Sequence, residues 1–231
     1  MKSKKKLTWF KIWSQKKIST FKIKDLLDIN GHSGYSNINT NSFKNFILKI
    51  RKILKINKKN SIFEFGCGSG VLLYLLKNYC KSVSGYDYSK SLIKIAQVLL
   101  KDKKKITISK SIFKKQNYDI VIINSVLQYL TINNAEKIIN SLIKITNKRI
   151  YIGDVYDYEK KKYHIKSRMK ILGEIEYKKK YSNLSHTFYK KSFFKKIAKK
   201  NNFSILFIKN LIKDTNQGKF RYSVVMQRTY K

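Results

Sequence analysis

Proline is absent from this chain of 231 residues, cysteine occurs twice, and acidic residues number 13 against 52 lysines and arginines. Alanine is scarce too, while lysine, asparagine, isoleucine, phenylalanine and tyrosine crowd every segment, as expected of a genome whose base composition favours A/T-rich codons. The two cysteines, Cys67 and Cys80, provide neither a disulfide framework nor a zinc-ligand spacing, so a reducing, cytoplasmic compartment is the natural inference. No apolar run approaches the roughly 18 residues of a membrane span. The start, M-K-S-K-K-K-L-T-W-F-K-I-W, is basic but lacks the long apolar core and small-residue cleavage site of a signal peptide. Trp9, Phe10 and Trp13 sit among its lysines, which leaves two readings: contact with an anionic membrane surface, or packing on the domain.

The shortage of acids leaves a net charge of +39, and clustered lysine supplies the phosphate-neutralising attraction that dominates nucleic-acid affinity. Three features point the other way. Lysine far outnumbers arginine, although bidentate phosphate and base readers favour arginine. The lysines are spread over the whole chain instead of forming one tract, and codon composition accounts for their number. Nucleic acid is therefore a secondary candidate. The hydrophobic fraction of 42% is ordinary for a folded protein, and the length suits one α/β domain with a modest insertion.

What is present centres on Ser61 to Gly70, S-I-F-E-F-G-C-G-S-G, followed by V-L-L-Y-L-L. An apolar run, a glycine-rich turn and a resumption at helical spacing predict a strand, a tight loop and a helix, the opening unit of a nucleotide-binding sheet. A dinucleotide site wants Gly-x-Gly-x-x-Gly with the pyrophosphate at the helix start. Here Gly66, Gly68 and Gly70 are spaced Gly-x-Gly-x-Gly, and Val71 stands where the third glycine is required. Glu64 lies two residues before the loop, where its carboxylate would repel a pyrophosphate. A cationic ligand such as S-adenosylmethionine, with its ammonium and sulfonium, suits that acid. About 20 residues on, an acid at the next strand end should bind ribose hydroxyls, and Asp87 in G-Y-D-Y-S occupies that place.

With the apolar Y-D-I-V-I-I-N-S-V-L-Q-Y-L of residues 118–130, these motifs resemble the class I S-adenosylmethionine-dependent methyltransferases in order and separation. The resemblance implies a Rossmann-like α/β fold, a mostly parallel seven-stranded sheet with an antiparallel last strand and helices on both faces. It spans about residues 60–231, leaving 1–59 as a helical cap or flap and an insertion at about 154–190. S-adenosylmethionine is the implied cofactor, with Glu64, Gly66, Cys67, Gly68 and Gly70 at its methionine half and Asp87 on the ribose. Tyr88 would flank the adenine, and Asn124 with Ser125 would close the pocket. Many family members carry an aspartate toward the adenine amino group where Ser111 stands here, so that contact would rest on a hydroxyl or backbone groups plus Ile112. The structural alternatives are a mere tight turn for the glycines and a helix cap for Asp87.

Periodicity supports this fold independently. Residues 61–154 alternate strands (61–65, 82–86, 105–109, 119–123, 149–153) with helices (71–79, 90–101, 132–145), the pattern of a doubly covered parallel sheet with its site at the strand ends. Before it, Phe43 to Leu54 predicts an amphipathic helix with Ser42 as its cap. Residues 30–42 hold a turn-rich loop with His32 that reads equally as a flap or a connector. Phe203 to Ile208 and Arg221 to Gln227 predict two strands joined through Asp214 to Gly218.

Methylases of exocyclic base nitrogens carry an Asx-Pro-Pro-aromatic tetrad where this chain has Asn124-Ser125-Val126-Leu127, and C5-pyrimidine methylases need a cysteine in a suitable loop. Asn-Ser-Val-Leu-Gln-Tyr-Leu instead looks like the small-molecule branch. Ile152-Gly153-Asp154, His186-x-x-Tyr189 and Phe220 to Val224 are similar to little-characterised methyltransferases of bacterial surface-polysaccharide and other glycan pathways. The expected acceptor is a small molecule, a sugar or nucleotide sugar; the alternatives are an RNA methyltransferase and a non-catalytic cofactor-binding partner subunit. A sugar hydroxyl needs a base or hydrogen-bond acceptor as it attacks. His186, Asp154 and His164 are the candidates in that order, His186 because it lies in the polar, lysine-poor part of the insertion.

Overall fold

The computed structural model describes residues 8–17, 21–29, 40–100, 106–109, 116–182, 184–211 and 217–229. Ser111, Ile112, His32 and residues 30–39 of the expected flap lie outside the described residues.

Seven strands form one sheet: β1 (Ser61–Phe65), β2 (Ser82–Tyr86), β3 (Ile106–Ser109), β4 (Tyr118–Asn124), β5 (Thr146–Tyr156), β6 (Phe203–Lys209) and β7 (Arg221–Arg228), in the order β3-β2-β1-β4-β5-β7-β6. All neighbours pair in parallel except β7, which runs antiparallel to β5 and β6. The expected sheet, its antiparallel last strand and the final hairpin are all present. The strand order reverses between β1 and β4, so the crevice outside their carboxyl ends is the natural ligand position.

Period-2 alternation divides the core in two. Ile62, Ile120, Ile122 and Tyr151 face one layer, with α2 (Ile23–Ile29), α3 (Thr40–Leu54), α4 (Val71–Leu76) and α5 (Lys90–Leu99). Phe63, Val121, Ile123, Ile150 and Ile152 face the other, with α6 (Ile132–Lys144) and α9 (Lys191–Lys200). Helix α3 buries Phe43, Phe46, Ile47, Ile50 and Leu54, the face read from the sequence, but it begins at Thr40, placing Ser42 inside the helix and not at its cap. Helix α4 is shorter than predicted, ending at Leu76.

The regular pattern also continues past residue 153. Strand β5 runs on to Tyr156 through a register shift between Ile152 and Val155, and Asp154 sits in that irregularity with φ +61. The chain then departs into α7 (Lys161–Leu172) and α8 (Glu174–Tyr181), and returns along residues 184–189 to a bridge between Tyr189 and Asp157. Helix α1 (Trp9–Ser14) lies over the opposite side of the same sheet edge, hydrogen-bonded to the start of α5.

Gly85 in β2 lets the glycine loop and α4 close onto the sheet. A Cβ there would stand 2.7 Å from Leu73 Cδ1 and 2.9 Å from Cys67 Sγ. Gly85→Ala is expected to lower stability by about 1–3 kcal/mol through overpacking, read as a lower urea midpoint at unchanged slope.

Candidate active site

The loop after β1 is held by the end of β2. The N–H groups of Gly66 and Cys67 both donate to the Tyr86 carbonyl, at 2.7 and 3.0 Å, and Gly66, Gly68 and Gly70 all have positive φ. A Cβ on Gly66 would collide with Val126 Cγ2. Asp87, just beyond β2, accepts from Gly68 N at 2.9 Å and from Ser89 N at 2.8 Å. Ser89 itself caps α5, accepting from Leu92 N at 3.3 Å, so Asp87 supports the helix start indirectly while clamping the loop.

A cavity of about 320 Å³ opens beside this clamp. Its floor is Glu64, Gly66, Cys67 and Gly68 with Asp87 and Tyr88; Asn124 and Ser125 flank it from the end of β4. Apart from Ser111 and Ile112, which lie outside the described residues, the sequence-derived cofactor residues converge here with one exception. Gly70 does not line the cavity: it caps α4 in a left-handed conformation, and a Cβ there would meet Ala96 at 3.0 Å and Leu100 at 3.1 Å, so it serves the packing of α4 on α5.

Several wall residues were given no part in the site by the sequence reading, among them Trp9, Phe10 and Trp13 of α1, and Val126, Tyr129 and Leu130 after β4. Phe10 stacks on Tyr88 at 5.1 Å, and Tyr129 packs against Trp9 at 4.9 Å and Trp13 at 5.5 Å. Helix α1 is fastened by Ser89 Oγ donating to the Trp13 carbonyl (2.9 Å), Ser91 Oγ to the Ser14 carbonyl (3.1 Å) and Trp9 Nε1 to the Ser185 carbonyl (3.0 Å). Of the two readings of these aromatics, packing is what the structure supports, and the surface they pack over is the cavity. Tyr129 lay within a motif; nothing in the sequence pairs residues 9–13 with it.

Residues 63–148 match the family model of a methyltransferase domain. That match and the fold together support a class I S-adenosylmethionine-dependent methyltransferase. The fold agrees with solved structures. Magnesium protoporphyrin IX methyltransferase from Synechocystis PCC 6803, with bound S-adenosylhomocysteine, superposes with a TM-score of 0.59 at 17% identity, covering 95% of this chain and 94% of that one. The N-methyltransferase NodS from Bradyrhizobium japonicum WM9 gives 0.61 at 12% identity over 83% and 89%. An S-adenosylmethionine-dependent methyltransferase from Clostridium acetobutylicum ATCC 824 gives 0.62 at 11% identity over 88% and 97%. No curated protein matches the sequence significantly.

The methyltransferase's own residues fit the cofactor. Glu64 is 4% exposed, and among the described residues its Oε2 has no hydrogen-bond partner. Burial, and next the nearby Asp87, push its carboxyl well above the ordinary value of 4.5. Such a group calls for a cation, which the methionine ammonium and sulfonium provide. Burial also raises Asp87, against the lowering effect of its backbone N–H donors, and its placement suits hydroxyls better than phosphate.

The two catalytic candidates are placed differently. Asp154 lies just behind the cavity: Arg221 Nη1 spans its two oxygens at 2.6 and 2.7 Å, Asn210 Nδ2 donates at 3.2 Å, and Ser125 Oγ donates at 2.9 Å. It reaches the cavity only through Ser125. His186 does not line the cofactor cavity. Its Nδ1 lies 3.3 Å from Arg168 Nη1, a donor, which makes Nδ1 the acceptor and leaves the ring proton on Nε2. Burial, then Arg168 and Arg221, push its pKa down to about 2. The ring expected to act as base thus stands outside the cofactor cavity, in surroundings that disfavour its protonated form. His164 is likewise pushed down to about 2 by burial and Arg168, and it lies behind Tyr156, 4.6 Å away. Arg221, which organises Asp154, was quoted in a motif without a role, because only the β5–β7 pairing reveals the contact.

Two outcomes follow for the methyltransferase. Arg221→Ala leaves Asp154 without its counterion in a site where both side chains are about nine-tenths buried, and is expected to cost about 3–5 kcal/mol in urea unfolding. A cation beside Glu64 favours its ionised form, so binding releases a proton wherever the pH lies below the raised pKa. S-adenosylmethionine affinity therefore rises with pH up to the raised pKa and then levels off; calorimetry on Glu64→Gln should show a flatter profile.

Proposed function

We propose that this methyltransferase transfers the methyl group of S-adenosylmethionine to a hydroxyl of a small molecule, a sugar or glycan precursor. The observation that carries the reading is the roof of the cavity. Trp9, Phe10 and Trp13 from α1 line the cavity with Tyr129 and Leu130 from the loop after β4, so it is walled largely by rings, and no lysine or arginine is among the described lining residues. Ring faces of this kind pack on the apolar faces of sugars, while Asn124 and Ser125 supply polar contacts. One structural neighbour is a magnesium protoporphyrin IX methyltransferase, which supports a small acceptor without choosing one.

In this reading residues 1–59 cap the methyltransferase domain of residues 60–231, and the insertion at about 154–190 lies at the acceptor edge. The bound cofactor supplies an electrophilic methyl group with its leaving group in place. Ser125 donates its proton to Asp154, which leaves an Oγ lone pair free to receive the acceptor's hydroxyl. As the acceptor oxygen forms its bond to the methyl carbon and the carbon–sulfur bond breaks, the hydroxyl proton passes to Ser125 Oγ and the serine's own proton to Asp154. Positioning accounts for most of the rate, as befits a displacement whose leaving group needs no protonation. With both cysteines buried as thiols and not joined in a disulfide, a reducing cytoplasmic setting suits the protein. Among the described residues no helix is long and apolar enough to cross a membrane.

Incubation with methyl-labelled S-adenosylmethionine and parallel panels of monosaccharides, nucleotide sugars and RNA tests the reading. Label is expected in a sugar fraction; label in RNA alone overturns it. With the active acceptor, Ser125→Ala should lower kcat about 100-fold, the lower range for a positioned proton acceptor, with S-adenosylhomocysteine affinity little changed.

A further inference from the structure

After β5 the chain leaves the sheet for the helical hairpin α7–α8, which turns at Gly173. Gly173 is exposed with φ +82, and a Cβ placed on it would meet nothing within 4 Å, so the turn stands in solvent. The base of the hairpin is fixed. His164 and Arg168 of α7 are buried, and the Tyr181 ring of α8 packs 6.5 Å from Trp9 and 5.4 Å from His186. At 1.5 Å per residue, α8 carries the turn about 12 Å away from that base.

The outer surface of this hairpin carries apolar side chains that folding leaves uncovered. Ile175 is 81% exposed, more than any other large hydrophobic residue among the described ones, and Tyr163 follows at 64%. Ile171, at 43%, stands across Gly173 from Ile175. Singly exposed apolar residues are ordinary, but two aliphatic side chains flanking one projecting turn are not what solvation selects. Basic residues surround them: residues 161–181 hold eight lysines and arginines against two acids, Glu174 and Glu176. Lys162, Lys166 and Lys170 follow the exposed face of α7 at helical spacing, with Tyr163 beside them and the buried His164 and Arg168 on the other face. Both acids are matched within α8, Glu174 by Lys178 at 2.6 Å and Glu176 by Lys179 at 3.7 Å.

We infer that the α7–α8 hairpin docks on an anionic membrane surface, with Ile171 and Ile175 entering the boundary between headgroups and acyl chains and the lysines of α7 lying against the lipid phosphates. Two aliphatic side chains ringed by lysine match a layer that is negative outside and apolar just beneath. The same features disfavour other occupants. A second copy of the chain would bring a like-charged face against this one, and a nucleic-acid backbone offers nothing to Ile171 and Ile175. Docking holds the cofactor cavity at a set distance from the bilayer, because Tyr181 joins the hairpin to Trp9 of the cavity wall. The contact is independent of which acceptor is methylated.

A chain of net charge +39 adheres to any anionic vesicle at low salt, so the test reads insertion as well as binding. The full chain is sedimented with vesicles of phosphatidylcholine alone and of phosphatidylcholine mixed with phosphatidylglycerol, at low and at physiological salt. Binding to the mixed vesicles is expected to persist at physiological salt. The double variant Ile171→Ser, Ile175→Ser changes no charge and should weaken that binding about tenfold or more. Lys195→Glu with Lys196→Glu, on the exposed face of α9, removes far more positive charge and should weaken it less. Ile175→Trp places an indole at the turn, and its emission should be quenched by lipids brominated along their acyl chains. Trp9 and Trp13, the only tryptophans of the parent chain, pack against Tyr129 and should escape quenching. All the substituted positions are exposed, and a thermal midpoint near that of the parent chain shows that each variant is folded. Parent-like binding by the double serine variant, or an indole at position 175 quenched no more than the parent chain, overturns the docking. So does a chain that binds RNA and no vesicle at physiological salt.

Discussion

Strands β1 and β4 are buried on both faces, so polar side chains near their carboxyl ends can meet partners only at that edge of the sheet. Glu64, Asn124 and Ser125 are all consequences of this constraint. Water is largely excluded there, and a carboxylate must be neutralised, hydrogen-bonded or matched by a ligand. Asp87 and Asp154 take the second course, through backbone N–H groups in one case and Arg221, Asn210 and Ser125 in the other. Glu64 retains an oxygen with no partner among the described residues, which makes it the group most dependent on what binds.

The molecule therefore has two electrostatic characters. Its overall charge is +39, carried on lysines distributed along the chain, while the cofactor cavity is locally acidic through Glu64 and Asp87. Long-range attraction by the exterior is screened within about 8–10 Å at physiological salt, whereas the buried acids act on a ligand at contact. Trp9 and Tyr129, which wall that cavity, pack in turn on His186.

Much of this was legible in the sequence. Strand positions, the parallel order and the glycine loop follow from period-2 and period-3.6 patterns and from glycines at φ values that other residues resist. Glu64, Asp87, Asn124 and Ser125 were readable because each stands at a fixed offset from a strand end, and the strand end defines the site. Gly70 misled for the same reason: its spacing belongs to the motif, but its work is to bring α4 against Ala96 and Leu100.

What the sequence determined alone was local: which segments become strands and helices, and which side chains lie at their ends. Tertiary structure decided how distant groups meet. Arg221 finds Asp154 across the antiparallel β5–β7 pair, 67 residues away. Trp9 reaches Ser185 across 176. Burial and Arg168 oppose protonation of His186, which its residue type alone does not reveal. Basicity, burial and partnership depend on the field and solvent exposure at a point in space, and a linear order of residues does not specify those until the chain has folded.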